Sequence, residues 1–524
     1  MRFSKPRCSP RKAEAGLRFT VFLALPLLAV IALSAFRQSV LSPEARVFFA
    51  SAGKPAGARL WVYFKDKGQA SAFERGEALA LARRDLNPRC AWRRGKVRDQ
   101  ASLVDEADLA VSPAYLEKVR GQVSKVRTVS RWLNAVSVEA TGYQVMALEQ
   151  DAFIRSIDLV ASFKRDEPLP SPATTSSSAR PSRQDTRTDY GPSLAQLEQV
   201  GVPALHDLGY SGQGVIVGML DTGFRKSHQA FRNARLLAEW DFVNGDGDVQ
   251  QDLSDPNDYS DSHGTGTWSV LGGFSPGQLF GPAYGADFLL AKTEDANDER
   301  PIEEDYWVAG IEWAESLGAE VISSSLGYTD WYTFADMDGK TAVTTRAADR
   351  AVSLGVVVVN AAGNERDEPW GHIIAPADGF GVVAVGAVDA RGQIASFSSP
   401  GPTFDGRTKP EVCALGVDDW MAANGADGRD TFRRASGTSF ATPLVAGAVA
   451  LILEAHRDWT PRRLRKALLG TAERSLHPDN NYGWGIIDAA SAVLADPRRD
   501  RDPHRFNKRQ ERLRVPSAAG RPRD

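Results

Sequence analysis

The chain is 524 residues long, 42% hydrophobic, and carries 63 Lys and Arg against 66 Asp and Glu, a formal net charge of -3. That length holds about two to four ordinary cores, and a charge so near zero argues against nucleic acid or an acidic surface as partner. Cys8, Cys90 and Cys413 lie far apart and match no metal-ligand or redox spacing, which excludes a disulfide-built fold and leaves stability to core size or bound ions.

Charge is nevertheless uneven. Arg2, Lys5, Arg7, Arg11, Lys12 and Arg18 stand against the single acid Glu14, and an apolar stretch comes next at 21–35, broken only by Pro26 and Ser34. This is the pattern of an export signal over residues 1–36. A retained signal anchor is the alternative, although a span needs about 20 apolar residues. Either way the positive charge before the apolar run sends the remainder of the chain across the membrane. The expected location is secreted or extracytoplasmic, with membrane contact only if the N-terminal segment is retained.

Residues 58–164 form the next unit. Leu60-Trp-Val-Tyr-Phe64 reads as a strand, 71–86 as a helix and Ser112-Pro-Ala-Tyr as a capped helix start. Strands at 123–129 and 133–138, a short helix at 143–150 and a strand at 153–160 complete an order close to a split β-α-β unit with an extra helix. Residues 165–188 hold Pro168, Pro170, Pro172 and Pro181 around a Thr-Thr-Ser-Ser-Ser run. They read as an exposed, flexible linker of the kind proteases cut.

Residues 189–495 alternate apolar strands, at 215–220, 288–291, 321–325, 356–359 and 382–388, with helical stretches such as 306–317 and 341–354. Near-continuous apolar strands separated by helices imply an α/β fold, a doubly wound parallel sheet with helices on both faces. In such folds the site forms at the carboxyl ends of the strands. Residues 496–524 are rich in Arg without an apolar repeat, and read as a basic solvated tail or as loose adhesion to an anionic cell surface.

The segment beginning at Ala435 carries the most specific signal. Phe440, Leu444, Val445, Ala448, Val449 and Ile452 recur at helical steps, and Pro443 belongs in a first turn, so a helix is expected to begin near Thr438. Ser439 then sits at a helix N-terminus, where unpaired N–H groups favour developing negative charge. Asp221 comes directly after the 215–220 strand in Asp-Thr-Gly, and His263 opens a helix in Ser262-His-Gly-Thr-Gly-Thr. A neutral imidazole takes a serine proton and a buried carboxylate stabilises the imidazolium, so the three types form one catalytic set. The acidic run Asp241-Phe-Val-Asn-Gly-Asp-Gly-Asp248 lacks the ordered spacing of a calcium-binding helix-loop-helix and reads as a solvated turn.

These segments, with Gly437-Thr-Ser-Phe-Ala-Thr-Pro443, resemble the three signatures of the subtilisin-like serine peptidases, the subtilases. The resemblance runs over roughly 191–492. It implies an exported serine endopeptidase, made as a zymogen, with Asp221, His263 and Ser439 as triad. The Ala-Ala-Gly-Asn run after the 356–359 strand resembles the family's oxyanion segment and assigns that role to Asn364 instead of Asn360. Ser324-Ser-Leu-Gly327 resembles the edge that pairs with an extended peptide, making Ser325, Leu326 and Gly327 substrate-binding, with Ile374, Ala375 and Pro376 near the pocket wall. The unit at 58–164 resembles a propeptide that acts as intramolecular inhibitor. Partners are then protein or peptide substrates and the chain's own propeptide, with no nucleic acid. Catalysis requires no cofactor, and structural calcium is left open by the resemblance, with no metal ligand assigned.

Overall fold

The computed structural model describes residues 39–160, 162–163, 188–250, 261–294, 302–424 and 429–495. The expected signal at 1–36, residues 165–187 of the expected linker and the 496–524 tail lie outside the described residues.

The first unit contains α1 (Pro43–Ala52), β1 (Gly57–Phe64), α2 (Ala72–Arg84), α3 (Pro88–Arg94), α4 (Pro113–Arg120), β2 (Lys125–Ser130), β3 (Ala135–Thr141), α5 (Gly142–Leu148) and β4 (Ile154–Leu159). Its strands form an antiparallel sheet in the order β2-β3-β1-β4. The packed body starts before residue 58, because Ala45 of α1 is fully buried and Leu41 bridges to Ile157. Ser112 takes the N-cap position of α4 without a side-chain cap bond, and Pro113 at the first helical position has no N–H to be capped.

Alternation along β1 explains how this unit is seated. Leu60, Val62 and Phe64 point into the unit's own core, whereas Trp61 and Tyr63 enter a core shared with the second unit. A short continuation, β5 (Ser162–Phe163), then pairs antiparallel with Ile302–Glu303 of the second unit.

The second unit holds α6 (Leu194–Gln199), α7 (Pro203–Asp207), β6 (Ile216–Asp221), β7 (Arg235–Asp241), α8 (Ser262–Gly272), β8 (Phe274–Ser275), β9 (Leu279–Phe280) and β10 (Asp287–Lys292). It continues through β11 (Ile302–Glu303), α9 (Glu304–Ser316), β12 (Val321–Ser324), α10 (Val343–Ser353), β13 (Val357–Ala361), β14 (Val383–Val388) and β15 (Val412–Leu415). The hairpin β16 (Asp419–Asn424) and β17 (Asp430–Ala435) precedes α11 (Thr438–Ala455), α12 (Pro461–Thr471) and α13 (Ala489–Leu494).

The main sheet has seven strands in the order β15-β14-β13-β12-β6-β10-β7, with every pairing parallel. Each central strand feeds two cores. Val217 and Met219 of β6 pack with Trp268, Leu444 and Val445 on one face, while Ile216 and Leu220 pack with Trp307, Ile311 and Ala347 on the other. Helices α9 and α10 therefore lie between the main sheet and the sheet of the first unit. Helix α11 is long and apolar enough to cross a membrane by length and composition, but 89% of it is buried, so its apolarity serves the core.

Two buried charges stabilise the joint between β14 and β15. Lys409 is buried, and its Nζ reaches the carbonyls of Gly379 and Val382 and, at 2.9 Å, Oε2 of Glu411. Glu411 also accepts from Arg465 at 2.8 Å. Breaking a buried pair strands its partner, which typically costs about 3–5 kcal/mol. Lys409→Ala, made in a Ser439→Ala background, is expected to lose that much stability in denaturant titrations, whereas Lys340→Ala on the exposed surface should not.

Candidate active site

Parallel topology brings the marked residues together. Asp221 is the last residue of β6, at the carboxyl edge of the sheet, and its side chain is buried. His263 is the second residue of α8, and its Nδ1 lies 2.5 Å from Oδ1 of Asp221. That oxygen also accepts from the N–H of Thr222 at 2.8 Å, and Oδ2 accepts from the Thr267 hydroxyl at 2.9 Å. With these three partners the carboxylate is fixed in direction. Small residues make this approach feasible: a Cβ on Gly264 would meet the carbonyl oxygen of Gly223 and the Cβ of Asp221.

Ser439 is the second residue of α11, as expected from the sequence, and is buried. The His263 ring stands beside this first turn, 5.8 Å from the ring of Phe440. Pro443 departs from the sequence reading, since it is the sixth residue of α11 and not in its first turn. Lacking an N–H, it supplies no donor to the carbonyl of Ser439 four residues back. The hydroxyl of Ser325 donates to that carbonyl instead, at 2.8 Å. The Ser439 hydroxyl in turn lies 3.4 Å from the carbonyl of Ser325. Ser325 and Ser439 are thus tied twice.

The two asparagines separate cleanly. Asn360 is fully buried within β13, and its amide nitrogen donates to the carbonyls of Leu326 and Ala361. Asn364 lies beyond the strand, where its Oδ1 accepts from the N–H and the hydroxyl of Thr438, at 3.0 and 2.9 Å. Because an N–H only donates, Oδ1 must face Thr438, which directs the amide nitrogen the other way, near Gly437. Asn364 is thereby both a cap for α11 and a fixed N–H donor beside its first turn.

Ser325, Leu326 and Gly327 continue past the end of β12. A Cβ on Gly327 would collide with Ile374 and the carbonyl of Ala375, and the N–H of Tyr328 donates to that carbonyl at 2.9 Å. Ile374 and Ala375 consequently flank the 325–327 segment. The acidic turn after β7 is organised by its own first residue: Asp241 accepts from the N–H groups of Val243 and Asn244, from the Asn244 amide and from Lys292. Among the described residues no group of three or more His, Cys, Asp or Glu is placed to hold a metal ion.

Two features lie beyond the sequence reading. Thr267 stands one helical turn after His263, and the i, i+4 spacing on α8 is the available signal for a shared target. The β5–β11 pairing leaves no signal, since two-residue strands carry no periodicity.

Known proteins match these features. A model of the subtilase family matches residues 212–485, and a model described as the peptidase S8 propeptide domain of Bacteroidota matches residues 59–177. Subtilisin E of Bacillus subtilis is 37% identical over 302 residues, covering 57% of this chain and 70% of the relative. Subtilisin Savinase of Lederbergia lenta is 34% identical over 297 residues, covering 57% and 97%. Among solved structures, fervidolysin from Fervidobacterium pennivorans, a keratinolytic enzyme related to subtilisin, superposes with a TM-score of 0.58 at 23% identity. That likeness covers 85% of this chain and 62% of fervidolysin, and it bears on fold.

Ser325→Ala removes the donor that Pro443 makes necessary, a loss of about 1–3 kcal/mol for a buried carbonyl. Pro443→Ala restores an intrahelical donor. A double-mutant cycle read by denaturant unfolding is expected to give a much smaller cost for Ser325→Ala in the Pro443→Ala background. Equal costs in both backgrounds would contradict this account.

Proposed function

Given that the chain belongs to the subtilase family of serine peptidases, we propose that it hydrolyses peptide bonds through an acyl-enzyme on Ser439, with Asp221 and His263 completing the triad and Asn364 in the oxyanion site. The observation that carries this reading is the 2.5 Å Asp221–His263 bond set beside the first turn of the helix that holds Ser439. Ser439 Oγ attacks the carbonyl carbon as His263 accepts its proton. Asp221 holds the Nδ1–H tautomer and stabilises the imidazolium. His263 then protonates the departing amine, and water, deprotonated by the same imidazole, releases the acyl group. The Asn364 amide and the N–H of Ser439 receive the oxyanion. A neutral, pre-fixed donor suits this task because little reorganisation accompanies the charge. Catalysis draws on no cofactor, and Asp241 organises its turn through bonds to Val243, Asn244 and Lys292.

Ser325 to Gly327 form one wall for an extended peptide, and β11 supports a second. Main-chain pairing of this kind reads the shape of the substrate more than its sequence. The first unit, taken as residues 58–164 with α1 added, is the inhibitory pro-domain, and residues 189–495 are the catalytic domain. The last strand of the pro-domain, β5, pairs with β11 of the catalytic domain, and the linker that follows is read as the first substrate. Tethering raises the effective concentration of this first substrate far above that of a free peptide. Export across the membrane, as a secreted or anchored enzyme, fits the N-terminal charge pattern.

Expressed without other exported proteases, wild-type chain is expected to cut itself between about residues 164 and 190, while Ser439→Ala remains joined to its pro-domain and resists fluorophosphonate labelling. Intact-mass measurement decides, and trimming of Ser439→Ala at the wild-type rate would overturn the nucleophile.

Asn364→Ala is expected to lower kcat by about 10²- to 10³-fold with little change in KM, the magnitude established for the equivalent asparagine donor of subtilisin. A rise in KM at constant kcat would contradict the role.

A further inference from the structure

Helix α3 makes a contact that the sheet of the first unit does not need. It projects from the loop region between α2 and α4 and inserts at the C-terminal ends of α9 and α10. Two glycines mark the place. Gly318 and Gly355 lie just past α9 and α10 with φ of +100° and +92°, and a Cβ on them would meet the Cβ of Arg89 and the carbonyl of Arg93, 2.7 and 2.9 Å away. The approach is therefore backbone-close on both helices.

Charge is concentrated there. Arg93 and Arg94 are buried, although both are consecutive residues of a seven-residue helix. Both grip Glu315 on α9: Arg94 reaches its two oxygens at 3.0 and 2.9 Å, and Arg93 bonds to Oε1. Arg93 also donates to the carbonyls of Glu315 and Leu354, at 3.3 and 3.2 Å, so it caps the negative ends of both helices at once, and to that of Ala319 at 2.6 Å. Burial alone would push the Glu315 carboxyl up, but Arg93 and Arg94 hold it below its usual range. Forked guanidiniums on a single buried carboxylate form a specific, water-excluded lock.

We propose that α3 is a second anchor, separate from the sheet and from the β5–β11 pairing, that keeps the pro-domain bound to the catalytic domain after the linker is cut. The proposal rests on the reading of the first unit as an inhibitory pro-domain. Its consequence is that the rate at which the two pieces part after cleavage is set by α3 as well as by the sheet. Release requires Arg93 and Arg94 to leave Glu315, and truncating one partner of a buried charge pair acts mainly on the dissociation rate.

The test uses the full chain carrying Ser439→Ala, with a recognition sequence for an unrelated site-specific protease placed after Ser176, so that the cut does not depend on self-cleavage. After cutting, timed dilution and size-exclusion chromatography give the rate at which the two pieces part. The wild-type clamp is expected to hold them together, Arg93→Ala/Arg94→Ala to speed parting by roughly 30-fold or more, and Arg120→Ala, on the exposed face of α4, to leave the rate unchanged. Arg94→Lys keeps the charge without the fork and covers the case in which the double variant does not fold; it is expected to part several-fold faster. Wild-type rates for Arg94→Lys or for the double variant would overturn the anchor. A wild-type chain that never cuts its own linker would instead count against the self-processing reading, and leaves this measurement intact.

Discussion

Two-sided burial of the parallel sheet is the constraint on which the rest depends. A strand such as β6 places alternate side chains in opposite cores, so it must be apolar at every position until it emerges. The first polar residue after that run, Asp221, is consequently held at the carboxyl edge with no freedom of register. Residues of α8 and α11 meet it there because those helices cover one face of the same sheet. The opposite face is covered by α9 and α10, and these present their outer surfaces to the first unit. One sheet thus fixes both the site and the seat of the domain that precedes it.

Much of this is legible in the sequence for a local reason. Apolar runs announce buried strands, and Gly-rich turns with Asp, His, Ser or Asn keep their meaning within five or six residues. Asn364 is told from Asn360 by the family resemblance, since the sequence ends the strand at 359, before both, whereas the structure carries β13 on to Ala361. Edge strand β7 is not legible, since its residues are largely exposed and carry no continuous apolar run. Helix α3 stays hidden for a different reason. An Arg-Arg pair reads as solvated until its carboxylate is known, and Glu315 lies 221 residues from Arg94 in the chain. The packing of α1 onto the first unit is not legible either, because α1 is short and its single buried residue, Ala45, gives no periodic stripe.

The interface between the two units also corrects an intuition about buried charge. Helix α9 is lined with acids that a solvent-facing reading would leave in water. Instead Asp305 meets Arg127 at 2.8 Å and Glu304 accepts from the Trp61 indole at 3.1 Å, while Glu312 takes Ser130 and the N–H groups of Arg131 and Trp132. Such contacts select one orientation, because every displaced acid would be buried without its donor. Apolar contact from Trp61, Tyr63 and Trp132 supplies the area, and the ion pairs supply the register.

The double tie between Ser325 and Ser439 has a mechanical meaning. The segment proposed to hold the peptide and the residue proposed to attack it share two hydrogen bonds, and Pro443 removes the usual intrahelical donor, four residues on, that would compete for one of them. A substrate that tugs on the 325–327 segment therefore moves the nucleophile's own backbone with it. Aim is preserved under load, since target and attacker ride on one rigid piece and thermal wobble of the cleft displaces them together.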